Sequence, residues 1–157
     1  MQWITRERPK IDRIACPWLI RRFIQPNAEF LYVPTERVFE VAQQTGATPY
    51  DIQGASPFEH DGELCSFDCF IRHFGIRDAA LDRLAIIVRG ADTARHDLAP
   101  EASGLHAISM GLSINIADDH VMLAQGMVIY DALYAWCRGV AGDIHNWKPV
   151  PAAERVA

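Results

Sequence analysis

Lys10–Phe23, KIDRIACPWLIRRF, brings charge, a thiol, a proline and a dense apolar face into one short stretch. Proline lacks an N–H and its ring collides with the carbonyl four residues back, so it suits the first helical position and not the interior. Pro17 therefore predicts a helix from Pro17 to about Ile24 with Cys16 at its cap, Trp18, Leu19 and Phe23 on a buried face, and Arg21 and Arg22 in its body. Partial positive charge at a helix N-terminus lowers a thiol pKa, which makes Cys16 a candidate nucleophile. The competing expectation is that Cys16 is a small buried hydrophobe, the commonest environment of a free cysteine.

The surrounding chain is 157 residues long, half hydrophobic, with a net charge of -5, which fits one domain over residues 1–157 with a loosely docked tail over 143–157. Residues 1–24 hold six basic and two acidic side chains, so the opening segment is +4 and the rest of the chain -9. The acidic total argues against a nucleic-acid surface, and a cationic segment on an acidic body points to a small anionic ligand or an acidic partner. Arginine's planar donors suit oxyanions. The candidates here are Arg13, Arg21, Arg22 and Arg89. Four sparse cysteines in a chain with core enough read as reduced thiols, and no apolar run approaches the roughly 18 to 20 residues that span a bilayer. The expectation is a cytoplasmic protein without a membrane partner.

Downstream, Glu29–Val33 and Thr48–Ile52 read as two short strands, plausibly paired with each other. Thr35 predicts a helix start, Gly46 its stop, and Ser66 caps a helix ending at Gly75, which leaves Cys65 just ahead of that helix. Asp78 caps another, ended by Gly90. Leu105, Ile108, Leu112 and Ile116 form one helical stripe from about Pro100, with Gly104 and Gly111 read as points of close packing. The last helix, from Asp118 or Asp119 to about Arg138, is apolar on nearly every side and predicts a central helix, with Asp131 as a candidate buried carboxylate. The fold expectation is α+β, mainly helical: five or six helices around a long C-terminal central helix, with a small two-stranded sheet.

No phosphate loop, dinucleotide fingerprint, zincin motif, paired C-x-x-C or nucleophile elbow occurs. Gly54–Leu64 is turn-rich and carries Glu59, His60 and Asp61, in the kind of loop where function concentrates. His60 and Cys65, joined by the carboxylates of Asp12 and Asp92, are the metal-ligand candidates, and a divalent transition metal is the cofactor expected of them. The spacing H-x4-C is not that of a standard structural zinc site.

The phrases TRERPKIDRIACPWLIRRFI, EFLYVP, HDGELCSFD, LAIIVRGADT, PEASGLHAISMGLS and DDHVMLAQGMVIYDALYAWC, taken in order, resemble the C-terminal domain of the ChrB family of chromate resistance proteins, from about Thr5 to Arg138. In longer members this domain follows an N-terminal regulatory domain linked to chromate-responsive transcription. The expectation is a stand-alone domain without that segment and without a nucleic-acid partner. The resemblance implies a role in chromate resistance; joined to the candidate residues above, the leading expectation is a protein that binds a metal ion, a chromate-like oxyanion, or both. The alternatives are a thiol-dependent chromate reductase or sulfur-transfer enzyme using Cys16 or Cys65, and a non-catalytic sensory or interaction module. A homo-oligomer is a further expectation.

Overall fold

The computed structural model describes residues 1–139, and the expected tail over 143–157 lies outside them. Three strands form one parallel sheet in the order β2-β1-β3: β1 (Gln2–Arg6) at the centre, β2 (Glu29–Val33) and β3 (Thr48–Pro49) at the edges. Trp3 sits opposite both Phe30 and Thr48. The expected two-stranded sheet is thus corrected. The two predicted strands do not pair with each other, because the opening QWITR, with its Trp-Ile-Thr core, inserts between them. Ile4 and Thr5 of this strand are fully buried.

Six α-helices among the described residues cover the sheet: α1 (Asp12–Leu19), α2 (Val38–Thr45), α3 (Ser66–Phe74), α4 (Ala79–Asp92), α5 (Pro100–Asn115) and α6 (Asp119–Gly139). Local chemistry accounts for most of their ends. The Asp78 carboxylate accepts from Leu81 N–H at 2.8 Å, and Asp118 accepts from His120 and Val121 N–H at 2.9 Å. Gly46 and Gly75 close α2 and α3 with φ of 74° and 60°, where a side chain would strain the backbone.

The first helix departs from its prediction. It begins at Asp12, so Pro17 lies inside it and Cys16 is not a cap. The carbonyl that Pro17 leaves without a partner is that of Arg13, four residues back. The hydroxyls of Tyr32 and Tyr50 donate to it at 3.1 and 3.3 Å. Two hydrogen bonds from the sheet side thus replace the missing N–H, and the chain leaves α1 through a π-helical turn, Ile20–Ile24.

Trp18, fully buried on α1, stacks on Phe67 of α3 and meets Tyr130 and Tyr134 of α6, while Trp3, Tyr50, Phe58 and Phe70 form a second aromatic group under the sheet. Helix α6 is long but not enclosed. Met122, Gly126, Tyr130 and Tyr134 face the core, whereas Val121 and Val128 are 49% and 65% exposed. It flanks α1 and α4 rather than forming the centre. Gly126 is the close approach, because a Cβ there would collide with Ile14 of α1. Gly104 and Gly111, expected to serve that role, face open space. Gly90 does not end α4. It lets α5 approach, since a Cβ would lie 2.8 Å from that of Ala102, and the helix runs on to Asp92. Asp131 is 31% exposed and binds Trp18 Nε1 at 2.7 Å and Arg22 at 2.6 and 2.8 Å, so it is paired at the surface rather than buried.

Candidate functional site

In a parallel sheet the strand ends at the carboxyl edge are the usual place for a ligand, because the connections that leave them diverge. Arg6 is the last residue of β1, and Lys10, Asp12 and Arg13 follow on the connection to α1 and its first turn. Asp51 lies two residues beyond β3. Its φ of 51° is in the left-handed region, which aspartate tolerates better than most side chains. The loop between Arg6 and Asp12 has two further such residues, Arg8 (φ 55°) and Ile11 (φ 41°). Arg8 holds it in place by donating to the Ser113, Ile116 and Ala117 carbonyls at the end of α5.

Four side chains converge there. His60 Nε2 lies 3.0 Å from Asp92 Oδ2, 3.5 Å from Asp12 Oδ2 and 3.6 Å from Asp51 Oδ1. Asp12 is fully buried: its Oδ2 accepts from the Ser66 and Phe67 N–H groups at the start of α3, at 2.6 and 3.3 Å, and its Oδ1 has no hydrogen-bond partner among the described residues. Asp51 accepts from the Ser66 hydroxyl at 2.8 Å and from Arg6 at 2.9 Å, with Arg13 Nε at 3.5 Å. Asp92, at the end of α4, accepts from Asp12 N–H at 3.3 Å.

The electrostatics follow from this crowding. Burial first, and then the Asp92 charge, push the Asp12 carboxyl up to about 8. Hydrogen bonds to Asp12, Asp51 and Asp92 push His60 up to about 12 against the effect of its own partial burial. Asp51 goes the other way: burial raises it, but His60, Ser66, Arg6 and Arg13 together bring it below the ordinary carboxylate value. The imidazolium thus occupies the place of a small cation among three carboxylates. Oxygen and nitrogen ligands about 2.0 to 2.2 Å from a metal are separated by about 3.0 to 3.6 Å along the edges of its coordination polyhedron. The separations from His60 to the carboxylates lie in that range.

Of the metal-ligand candidates, Asp12, His60 and Asp92 come together and Cys65 does not. The Cys65 thiol donates to Asp68 at 3.3 Å as part of the α3 cap, and its place in the cluster is taken by Asp51, which the sequence reading missed. The available signal was an aspartate just past a short strand, at the edge where parallel sheets hold ligands. Cys16 is fully buried, and burial, reinforced by Asp12 and Asp51, holds its thiol well above the ordinary value. The cap that was to make it a nucleophile is absent. Burial also pushes the Cys65 thiol up.

Asp51, His60 and Asp92 line a cleft of about 340 Å³ together with Arg6, Lys10 and Arg13, while Asp12 is fully buried and does not line it. Of the expected oxyanion ligands, only Arg13 lines it. Arg21 lies over the Phe30 ring at 5.0 Å and donates to the Ala28 carbonyl, and Arg22 binds Asp131 across the fold. Arg89 sits 3.3 Å from Asp68 and lines a second cavity of about 250 Å³ behind His60. Arg6 and Lys10 replace them at the cleft.

Residues 3–137 match the family described as ChrB, C-terminal domain. Protein ChrB of Cupriavidus metallidurans is 36% identical to this chain over 134 residues, a stretch covering 85% of this chain and 40% of that protein. The chain therefore spans less than half the length of that curated relative. No solved structure matches it.

Proposed function

This chain belongs to the ChrB C-terminal domain family, and from that membership and its cleft we propose that it serves chromate resistance by binding a divalent transition-metal ion with an oxyanion beside it. The ion is held by Asp12, Asp51, His60 and Asp92. Three carboxylates and one imidazole favour a cation of intermediate hardness, such as manganese or zinc, over one that requires thiolates. The observation that carries the reading is the convergence of Asp12, Asp51 and His60, whose ligand atoms lie within 4.8 Å of one another, about a fully buried carboxylate whose second oxygen has no hydrogen-bond partner among the described residues. An unsatisfied buried polar atom costs about 1 to 3 kcal/mol, and more if charged. A bound cation removes that cost.

The oxyanion, chromate or a close analogue, meets the open face of the ion and the charges of Arg6, Lys10 and Arg13. Neither Cys16 nor Cys65 is part of this reading, because both thiols are buried and burial pushes them up. The reading places the protein in the cytoplasm, in keeping with four free cysteines. Among the described residues no helix is long and apolar enough to cross a membrane.

The test is equilibrium dialysis of untagged protein against Mn²⁺ and Zn²⁺ with metal analysis, repeated with molybdate as a redox-inert tetrahedral oxyanion. One ion per chain, lost in His60→Ala, and molybdate retention that depends on the ion are expected. Absence of bound metal at micromolar concentration sinks the proposal.

A further inference from the structure

Helix α6 turns an uncharged face to solvent. The exposed residues between His120 and Arg138 are Val121, Ala124, Gln125, Val128, Ala132 and Ala135, none of them charged, although the outer face of a surface helix ordinarily is. Helix α4 makes the contrast, with Asp82 and Arg83 on its exposed side. Val121 and Val128 are 49% and 65% exposed, and the one carboxylate beside this face, Asp131, is neutralised by Arg22 at 2.6 Å. Single exposed apolar side chains need no explanation, whereas a continuous apolar strip marks a contact surface.

The spacing of the strip specifies the kind of contact. Val121, Gln125, Val128, Ala132 and Ala135 recur at alternating intervals of four and three residues. That is the seam by which one helix packs lengthwise along another, here over about 21 Å at about 1.5 Å per residue. The charges at its ends select the occupant. Asp118 stands at the amino end of the strip and Arg138 at the carboxyl end, both exposed, with the Arg138 guanidinium over the Tyr134 ring. Two copies of the strip laid antiparallel about a twofold axis at Val128 bring Asp118 of each to Arg138 of the other. The same register sets Val121 against Ala135, Ala124 against Ala132 and Val128 against its own copy, so valine meets alanine and the backbones can approach closely. Parallel copies would instead set Asp118 on Asp118 and Arg138 on Arg138. The strip therefore complements itself in one direction, as a twofold interface must, and opposed helix dipoles favour that same direction.

We propose that the chain forms a homodimer through α6, antiparallel to the same helix of a second copy and centred on Val128. The inference does not depend on the metal reading, since no residue of the strip belongs to the cluster.

Sedimentation equilibrium of the full chain from about 5 to about 200 µM tests this, and a Kd of about 10 to 100 µM is expected of a single helix pair, at the small end of specific interfaces. Val128→Glu sets two carboxylates against each other on the axis and should weaken the dimer at least about tenfold. Because Val128 is exposed, the dilute variant should keep the wild-type thermal unfolding. Cross-linking reads the register. The four native cysteines are buried, and a disulfide needs Cα atoms within about 7 Å, so Val121→Cys and Ala135→Cys should each resist oxidation to a covalent dimer alone and form one when mixed. A chain that stays monomeric at about 200 µM overturns the inference and leaves the face to a different partner. A dimer indifferent to Val128→Glu overturns it as well, as does a Val121→Cys protein that cross-links to itself and not to Ala135→Cys.

Discussion

Asp12→Asn separates the two roles that the geometry gives this carboxylate. Its Oδ2 anchors the start of α3 through the Ser66 and Phe67 N–H groups, a role that an asparagine carbonyl retains. Its negative charge, beside His60 and Asp51, is what a cation would use. Removing one unit of charge a few ångströms from a cation forfeits about 4 kcal/mol at an effective dielectric constant of 20, part of which is offset by cheaper desolvation. A loss of at least about 100-fold in affinity is expected, or about 2.8 kcal/mol. The assay is thermal unfolding with and without Mn²⁺. At a free concentration of about 100 times the wild-type Kd, binding adds about 2.7 kcal/mol, or about 5 to 10 °C for a chain of this length. A variant weakened 100-fold retains only about 0.4 kcal/mol, close to 1 °C. The pH dependence has a definite sign. Asp12 and His60 are both raised above their unfolded values, so the metal-free native state binds more protons than the unfolded chain. The His60 contribution is full below 6.5 and is lost as pH rises towards 12; that of Asp12 is lost between 3.8 and about 8. These groups therefore make the metal-free protein less stable as pH rises from 6 to 8, while the metal-induced shift grows because fewer protons must be displaced. An Asp12→Asn protein that keeps the wild-type shift, or a wild-type shift that shrinks with rising pH, refutes the reasoning.

Replacing Tyr32 and Tyr50 together by phenylalanine should cost about 1 to 3 kcal/mol in urea denaturation, because the Arg13 carbonyl loses both donors. The cost should shrink in a Pro17→Ala background, where the helix regains its own N–H; an equal cost in both backgrounds rules out this account of Pro17. Gly126→Ala and Gly104→Ala should move stability in opposite directions: the first is destabilising by about 1 to 3 kcal/mol through the clash with Ile14, while the second, in open space on a helix, is stabilising by up to about 1 kcal/mol. The same sign for both would contradict the close approach of α1 and α6. Native protein at pH 7 should react slowly with a thiol reagent at all four cysteines, which are buried, and fully once unfolded; one fast thiol in the native state would revive a nucleophilic cysteine.

The two chain segments that misled the sequence reading did so for related reasons. Pro17 forbids a helix interior only if no other donor serves the carbonyl four residues back, and the tyrosines that do so come from β2 and from just beyond β3. QWITR, within the cationic opening segment, drew no strand expectation, because its place in the sheet depends on the two strands found on either side of it. In the site, Asp12, His60 and Asp92 stand out as ligand types in the sequence; Cys65, near His60 in sequence, does not join them, and Asp51 does. The direction of the Cys65 thiol towards Asp68 is set by the α3 cap, which sequence spacing does not encode.

What the sequence by itself determined is what depends on neighbours a few residues apart: the Asp78 cap, the glycine ends of α2 and α3, the start of α5 at Pro100, and the family resemblance. Tertiary structure alone decided that β1 is central, that α6 shows one face to solvent, and that Asp51 completes the cluster. Caps and turns are local hydrogen-bond problems, solved within one or two turns of chain. The cluster joins residues up to eighty positions apart, and their approach is set by the packing of α1, α3 and α4 beside the carboxyl edge of the sheet.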